Sequence, residues 1–276
     1  MYMFASMDAC RRLLPLAVAA LGLAPAWGIA RAQPPSGREI MERVDARDDG
    51  DRAVQDLEMR LTDRSGGTRT RRLRMWRRDV GEDVQTILFF LAPADVKDTG
   101  FLTYDFDDPD RDDDQWLYLP ALKKSKRIAT ADKSGSFVGS DFSYADLTKR
   151  PLERYDYQLL EAGEQDGAPV WHVEAVPNHP AEIAETGYTR IRYVVRQDNA
   201  VVVGAVFTLR RGGRLKHYTV TKLEQIDGIW VPTSMQMATG KGDITLHETR
   251  LELSNVRFGQ PMDDSRFSVR QLEKGP

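Results

Sequence analysis

A long succession of short alternating segments, separated by turn signals, constrains this 276-residue chain more than any other feature. In QDLEMRLTD, Leu57, Met59 and Leu61 fall on one face of an extended chain, and RSGGT then gives a turn before RTRRLRMWRR returns. This period of two is typical of a strand with one buried face. Further strand patterns follow, divided by EQDGAP, RQDNA, RRGG, QIDGIW and TGKGD. The pattern predicts a mainly β protein with about ten or eleven antiparallel strands rather than βαβ units.

The segment QTILFFLAP breaks this alternation because both of its faces are apolar. Ile87, Phe89 and Leu91 point one way, whereas Leu88 and Phe90 point the other. We therefore expect this strand to be covered on both sides.

A second apolar surplus lies in the later strands, at 201–207 and at Met235 and Met237, which alternate after Trp230. A sheet cannot bury both faces against itself, so it needs a second layer or must curve round and enclose a space. These side chains are either core or the lining of a cavity for an apolar ligand. The pattern alone leaves both interpretations open.

Residues 134–147, SGSFVGSDFSYADL, interrupt the strands with glycine, serine, aromatic and acidic residues. Gly135 and Gly139 permit backbone angles that other residues avoid. Ser140 or Ser143 is suited to cap a short helix in YADL. The segment is either a flexible lid over the mouth of a curved sheet or a rigid plug that does not move.

The N-terminal residues have the pattern of a secretory signal. A basic pair, Arg11-Arg12, precedes an apolar run over 13–29 and the small-x-small site Ala30-Arg31-Ala32. This predicts a cleaved leader, 1–32, and a single domain over 33–276. The arginine pair leaves the general and twin-arginine export routes open. Cleavage removes Cys10, the only cysteine, so no disulfide is expected.

One amphipathic helix is expected at the start of the mature chain. GREIMERVDA, 37–46, places Ile40, Met41 and Val44 at helical spacing, and Ser36 is available as the N-cap.

The charge balance excludes a nucleic-acid partner. Removal of the leader takes away three arginines and one aspartate and moves the net charge from -3 to -5. A mildly acidic chain lacks the electrostatic footprint of a nucleic-acid-binding protein. After the leader, no segment is long and apolar enough to span a bilayer.

The usual signatures of metal and catalytic sites are missing or incomplete. His172, His217 and His247 fall in separate predicted strands, and nothing in the sequence indicates that they converge on zinc. The acidic run Asp107–Asp114 departs from an EF-hand loop at its glycine and its closing glutamate, and is expected to be a solvated turn. Ser140 lacks the nucleophile-elbow motif. The sequence therefore predicts no catalytic residue, no metal and no cofactor.

DDDQWLYLPALKKSKRI followed by SGSFVGSDFSYADL resembles the signature region of the bacterial outer-membrane lipoprotein-sorting proteins. That family is similar in fold to the periplasmic lipoprotein carrier LolA and its acceptor LolB. The resemblance implies a strongly curved antiparallel sheet that forms an unclosed barrel, with a few short helices covering the concave side. It further implies an apolar interior that receives acyl chains, and no enzymatic activity.

Members of this family often belong with membrane exporters of the RND or MMPL type. The resemblance therefore implies a soluble periplasmic carrier of a lipid or lipoprotein, moving cargo towards the outer membrane with such an inner-membrane exporter. It also turns the aromatic and methionine residues into candidates for the cavity or its lid, with Gly135 and Gly139 as the candidate lid hinge. The candidate ligand-binding residues are Phe89, Phe101, Trp116, Phe137, Phe142, Tyr144, Trp230, Met235 and Met237.

A module that carries nothing and docks on an envelope transport assembly is the alternative. The arginine stripe at 69–78 and the basic KKSKR would then contact an acidic partner or anionic headgroups. An interior already filled by the protein's own side chains would favour this alternative.

Overall fold

The computed structural model describes residues 33–242 and 244–276, and thirteen strands and three α-helices lie in this part of the chain. The helices are α1 (Gly37–Asp45), α2 (Pro180–Thr186) and α3 (Val269–Lys274). The strands are β1 (Arg52–Asp63), β2 (Thr68–Val80), β3 (Asp83–Ala92), β4 (Gly100–Asp105), β5 (Asp114–Leu119), β6 (Lys124–Arg127), β7 (Tyr155–Gln165), β8 (Ala168–Pro177), β9 (Tyr188–Arg196), β10 (Val202–Leu209), β11 (Leu215–Ile226), β12 (Ile229–Lys241) and β13 (Ile244–Phe258).

All thirteen strands belong to one antiparallel sheet in the order β6-β5-β4-β3-β2-β1-β13-β12-β11-β10-β9-β8-β7. Consecutive strands pair with each other except for β6 and β7, and at the centre the first strand, β1, pairs with the last, β13. The edge strands β6 and β7 do not hydrogen-bond to each other, so the barrel stays open. The predicted fold class, a mainly β unclosed barrel, is confirmed, and the strands outnumber the ten or eleven expected.

Helix α1 forms where the sequence predicts it. The Ser36 hydroxyl accepts from the Glu39 amide, and the Glu39 carboxylate accepts from the Ser36 amide, so both halves of a capping box are present. A Cβ at Gly37 would lie 2.7 Å from the Gln158 amide nitrogen, so only glycine lets the helix approach β7 this closely. Ile40, fully buried, anchors the helix in the core.

We call the sheet face that carries Leu57, Leu73 and Leu88 the inner face, and the opposite one the outer face. The inner face holds two apolar clusters, one over β1–β5 and one over β7–β12. Helix α1 belongs to the second cluster. Two-sided burial of the β3 strand is confirmed, because Leu88 and Phe90 enter the inner cluster while Ile87 and Phe89 do not.

The outer face of β3–β5 is covered by the C-terminal helix α3. Phe267 and Leu272 pack on Ile87, Phe89 and Leu102, and all five side chains are almost completely buried. This cluster gives β3 its second apolar neighbour and explains the pattern of QTILFFLAP.

The predicted leader, 1–32, lies outside the described residues, and the single-domain assignment of 33–276 stays a prediction. Within the described residues, no helix is both long and apolar enough to cross a bilayer.

Candidate functional site

The topology forces one segment of the chain across the inner face. β6 and β7 are consecutive in sequence but lie at opposite edges of the sheet. The connection between them, residues 128–154, therefore has to span the barrel interior, and we call it the crossing segment. Its central part, 134–147, is the stretch that interrupts the strand pattern, and we call it the plug.

The plug packs on β3 and β4 through aromatic side chains. Phe137 is 2% exposed. Its ring centroid lies 5.1 Å from that of Phe101 and 6.1 Å from that of Phe90. Tyr144 completes the group, with its ring 5.7 Å from both Phe101 and Phe137. The plug therefore shares one apolar core with this half of the sheet, at separations where aromatic pairs attract.

A buried arginine of β2 holds the apex of the plug. Arg71 is 8% exposed and donates from Nη1 to the Val138 carbonyl oxygen at 2.5 Å. Val138 has a φ of 47° and Gly139 a φ of 77°, so the backbone turns sharply here. A Cβ at Gly139 would meet no atom within 4 Å, and its requirement for glycine is one of backbone angle.

On the other half of the sheet the plug is held by polar contacts. The Asp141 carboxylate accepts from the hydroxyls of Thr239 at 2.6 Å and Thr249 at 2.8 Å. The Asp141 amide donates back to the Thr249 hydroxyl at 3.0 Å. Asp141 and Thr249 are both buried. Moving the plug away would therefore break hydrogen bonds that water cannot easily replace.

A buried ionic cluster fixes the C-terminal end of the plug. Asp146 closes the capping box of a short helical turn by accepting from the Ser143 amide and hydroxyl. Its carboxylate also accepts from Arg150 Nη2 at 2.6 Å and from the Tyr188 hydroxyl at 2.9 Å. Lys216 Nζ lies 3.5 Å from the same carboxylate and 3.0 Å from the Tyr188 hydroxyl. Two cations and one anion are thus brought together on the inner face.

Burial by itself would raise the pKa of the Asp146 carboxyl, but the charges of Arg150 and Lys216 and the hydrogen bonds from Ser143 outweigh it. The pKa of Asp146 therefore lies below its ordinary value. Burial lowers the pKa of Lys216, and the neighbouring Asp146 carboxylate opposes that shift. Asp146 is the group on which both cations depend for compensation.

Three cavities lie against the crossing segment. The first, of 340 Å³, is lined by many charged groups, among them Asp105, Asp113 and Glu182. The second has 270 Å³ and lies beside the apex of the plug, and the third has 310 Å³ and an apolar wall that includes Leu88 and Phe101. Phe137 and Tyr144 of the plug pack in the same apolar cluster as Leu88 and Phe101.

The candidate lining residues divide between the two faces. Phe101, Phe137 and Tyr144 meet in one inner cluster, while Phe142 and Met237 lie in the other. Met235 pairs with Leu251 and Met237 pairs with Thr249, so both methionines lie on the inner face. The Met235 sulfur also accepts from the Tyr218 hydroxyl at 3.6 Å. The remaining three lie elsewhere: Phe89 and Trp116 pack under α3 on the outer face, and Trp230 packs on a separate valine cluster.

Sequence reasoning did not single out the polar residues that hold the plug. Two of them could have been noticed in the strand pattern. Arg71 has the same parity as the buried Leu73, and Lys216 the same parity as the buried Val220, so both cations occupy positions expected to face the core. A cation at such a position indicates a buried partner. The residues missed are Arg71, Asp141, Asp146, Arg150, Lys216 and Thr249.

The histidines and aspartates considered as metal ligands lie in separate parts of the sheet. His172, His217 and His247 lie on β8, β11 and β13. Among residues 33–242 and 244–276, no three His, Cys, Asp or Glu side chains are grouped as metal ligands would be. The acidic run forms the β4–β5 loop, where the Asp113 carboxylate accepts from the Phe106 amide and Asp108 from the Asp110 amide.

The chain is similar in sequence and in fold to proteins of known structure. A family model described only as "Uncharacterized protein" matches residues 82–274. A domain from Vibrio parahaemolyticus, provisionally assigned as an outer membrane lipoprotein-sorting protein, is 31% identical, with a TM-score of 0.77 over 86% of this chain and 98% of that one. A DUF1329 family protein from Desulfovibrio piger is 28% identical, with a TM-score of 0.77 over 86% and 97% of the two chains.

A LolA superfamily protein from Nitrosomonas europaea shares the fold at 17% identity, with a TM-score of 0.64 over 86% of this chain and 100% of that one. No curated protein matches the sequence. The family model covers well over half of the chain, and the Vibrio domain matches nearly end to end. The chain therefore belongs to the same family as the Vibrio domain, that of the outer-membrane lipoprotein-sorting proteins, and it shares its fold with the LolA superfamily protein.

Proposed function

We propose that the chain is a periplasmic carrier that binds the acyl chains of a lipid or lipoprotein between the inner face of its sheet and a displaced plug. The observation that carries this proposal is the plug itself, a segment whose aromatic side chains occupy the apolar wall of an open barrel. The relation to a lipoprotein-sorting domain supports the choice of cargo.

The energetics of this exchange set the apolar surface of the cargo against that of the plug. Burying a sixteen-carbon chain stabilises a complex by on the order of 10 kcal/mol before ordering costs, at ~0.8 kcal/mol per CH₂ group. Uncovering Phe137 and Phe142, which are 2% and 8% exposed, costs about 1.5–3 kcal/mol each. The acyl chain restores that burial because it covers the same wall. The polar contacts of the plug then decide how readily the interior opens.

Loading from a bilayer needs an energy source besides burial, because the acyl chain is already buried in the membrane that it leaves. We therefore propose that an inner-membrane exporter of the RND or MMPL type hands over the cargo. Delivery towards the outer membrane requires an acceptor that binds the same chains more tightly.

The most direct test is native mass spectrometry of the protein purified from the periplasm without detergent. A carrier retains a lipid or an acylated peptide, which reappears after organic extraction. Protein that is always free of cargo, and that takes up no fluorescent phospholipid in vitro, would contradict the proposal.

A lock on the plug tests whether it must move. Asp141 and Thr249 touch through their side chains, so a cysteine pair, Asp141→Cys with Thr249→Cys in a Cys10→Ser background, should close a disulfide there. We expect the oxidised variant to lose uptake of the fluorescent phospholipid and the reduced form to regain it. The reduced form of the same protein is the matched control. Equal uptake by both forms would establish the rigid plug.

The non-carrier module that docks on an envelope assembly is favoured by one observation, the filled interior. Phe137, Phe142 and Tyr144 already occupy the place proposed for the cargo. Native mass spectrometry distinguishes the two functions. A docking module gives the mass of the protein without lipid whether or not the plug is locked.

A further inference from the structure

The two ends of the sheet carry opposite charge. Because neighbouring strands are antiparallel, successive hairpin turns alternate between the ends. Five turns close one end of the stretch of sheet from β6 to β10, and we call this end the basic end. These turns are 64–67, 93–99, 120–123, 210–214 and the β12–β13 turn at Gly242.

The described residues of these turns comprise six cations and two acids, Asp95 and Asp98, and the sequence has one further acid at position 243. Over the same stretch, the turns at the opposite end, 81–82, 106–113 and 227–228, contain seven acids and one cation, Arg111. The six cations of the basic end are Arg64, Lys97, Lys123, Arg210, Arg211 and Arg214.

All six cations are exposed, and within 33–242 and 244–276 none lies within 4.0 Å of a carboxylate. Several arginines on the strands are paired with carboxylates, as Arg74 is with Asp56 at 2.6 Å. The longer connection at the same end, 178–187, adds two acids, but Glu182 accepts from Tyr155 and Glu185 is paired with a lysine. The basic end therefore presents uncompensated positive charge on a chain whose net charge is negative.

Exposed aliphatic side chains accompany these cations. Leu122, in the β5–β6 turn, is 64% exposed and is the most exposed large hydrophobic side chain among the described residues. Ile244, at the start of β13, is 49% exposed. Cations that alternate with exposed aliphatic side chains are characteristic of surfaces that lie in the headgroup region of a bilayer.

The plug reaches the same end. The second cavity is lined by Ser136, Gly139 and Asp141 of the plug together with Arg214 of the β10–β11 turn. A surface that contacts the basic end would therefore also face the apex of the plug.

From the charge, the exposure and the spread of these groups over five successive turns, we propose that the basic end docks on a bilayer that bears anionic phospholipid. A row of turns along ten strands matches an extended surface better than the small acidic patch of a protein. This docking does not depend on the cargo proposal, because it uses groups outside the interior.

Vesicle sedimentation with the full chain after removal of bound lipid tests the inference. The probe is a vesicle of phosphatidylglycerol with phosphatidylcholine, compared with phosphatidylcholine alone. We expect binding to the first only. A cation near an anionic surface changes the partition coefficient about fivefold, so the triple variant Arg210→Gln, Arg211→Gln and Arg214→Gln should reduce it on the order of 100-fold.

The matched control removes the same charge from the middle of the outer face, in the triple variant Arg60→Gln, Arg72→Gln and Arg250→Gln. We expect this variant to bind like the wild type, and Leu122→Ser to weaken binding without changing the preference for phosphatidylglycerol. Equal losses in both triples, or no binding of the wild type, would overturn the inference. Capture of an acidic protein by the basic end without any vesicle binding would overturn it as well. A protein that takes up no lipid would contradict the carrier function, but its binding to vesicles would still test the docking of the basic end.

Discussion

The plug is held in different ways by the two halves of the sheet. Against β1–β5 it presents Phe137 and Tyr144 to an apolar wall, where contacts are non-directional, and the Arg71 hydrogen bond to the Val138 carbonyl oxygen is the polar exception. Against β9–β13 it uses Asp141 and Asp146, whose carboxylates need particular partners at particular distances. An apolar contact can be taken over by an acyl chain, whereas a directional polar contact is either made or broken. We propose that the first half is the binding wall and the second half is the latch.

The strongest way to break the latch is to neutralise Asp146. We expect Asp146→Asn to cost about 3–5 kcal/mol of unfolding free energy, because Arg150 and Lys216 would then be buried beside a neutral amide. Urea unfolding gives the loss. Lys216→Met is the matched control and should cost less, since Arg150 still balances the carboxylate. A loss below about 1 kcal/mol in Asp146→Asn would show that the cluster does not hold the plug.

The binding wall is tested by removing an aromatic ring from the plug. Phe137→Ala should cost about 3 kcal/mol, as should Phe89→Ala under α3, since both rings are almost fully buried. Only the first is expected to increase uptake of a fluorescent phospholipid, because it weakens the contact that the acyl chain replaces. If both variants gain uptake equally, the effect reflects general loosening and the division into wall and latch is wrong.

A single hydroxyl of the latch gives a smaller effect. Thr249→Val keeps the shape of the side chain but leaves the Asp141 amide without its acceptor and the carboxylate without one donor. We expect a loss of about 1–3 kcal/mol in urea unfolding. Hydrogen exchange of the plug amides should rise more than that of β3. Uniform acceleration across the sheet would argue against a local latch.

The last test concerns Asp105, whose carboxylate accepts from the Lys149 amide near the C-terminal end of the crossing segment. Burial raises the pKa of Asp105 to about 7, and the neighbouring Asp113 adds to the shift. The folded form thus holds a proton that the unfolded chain releases near pH 4, so stability falls as pH rises from about 4 to 7.

Asp105→Asn should remove this dependence and be more stable than the wild type at pH 8 by up to about 4 kcal/mol, at ~1.4 kcal/mol for each pH unit between about 4 and 7. The gain should vanish near pH 4. Thermal unfolding over that range measures it, and parallel curves for the two proteins would mean that the carboxyl titrates normally. The neutral side chain can still accept from the Lys149 amide, so the hydrogen bond at this position is kept.

The local elements of this fold were accessible from sequence. The helix at 37–46, its Ser36 cap and the two-sided strand at 86–91 follow from patterns within a few residues, and all three are found. Of the two caps predicted for the short turn in YADL, Ser140 and Ser143, the structure has Ser143. Helices α2 and α3 were missed, although His179 before a proline and Ser268 in the second case are capping signals.

What escaped prediction depends on pairs that are distant in sequence. Nothing local connects Asp146 with Lys216, or Arg71 with the Val138 carbonyl. The predicted lining set mixed both faces, because period two separates the faces of one strand but does not say which face turns inward. Only the pairing order assigns Phe89 to the outer face and Phe101 to the inner one.

The pairing of the first and last strands has a consequence for how the molecule is made. The register from Ala53 with Phe258 to Asp63 with His247 joins two meanders, β1–β6 and β7–β13, at their seam. Until the final strand has been synthesised, β1 is an open edge, and open edges invite pairing with other chains. Contacts this distant in sequence also form slowly. We therefore expect a nascent chain that ends before β13 to aggregate rather than to fold into a smaller barrel.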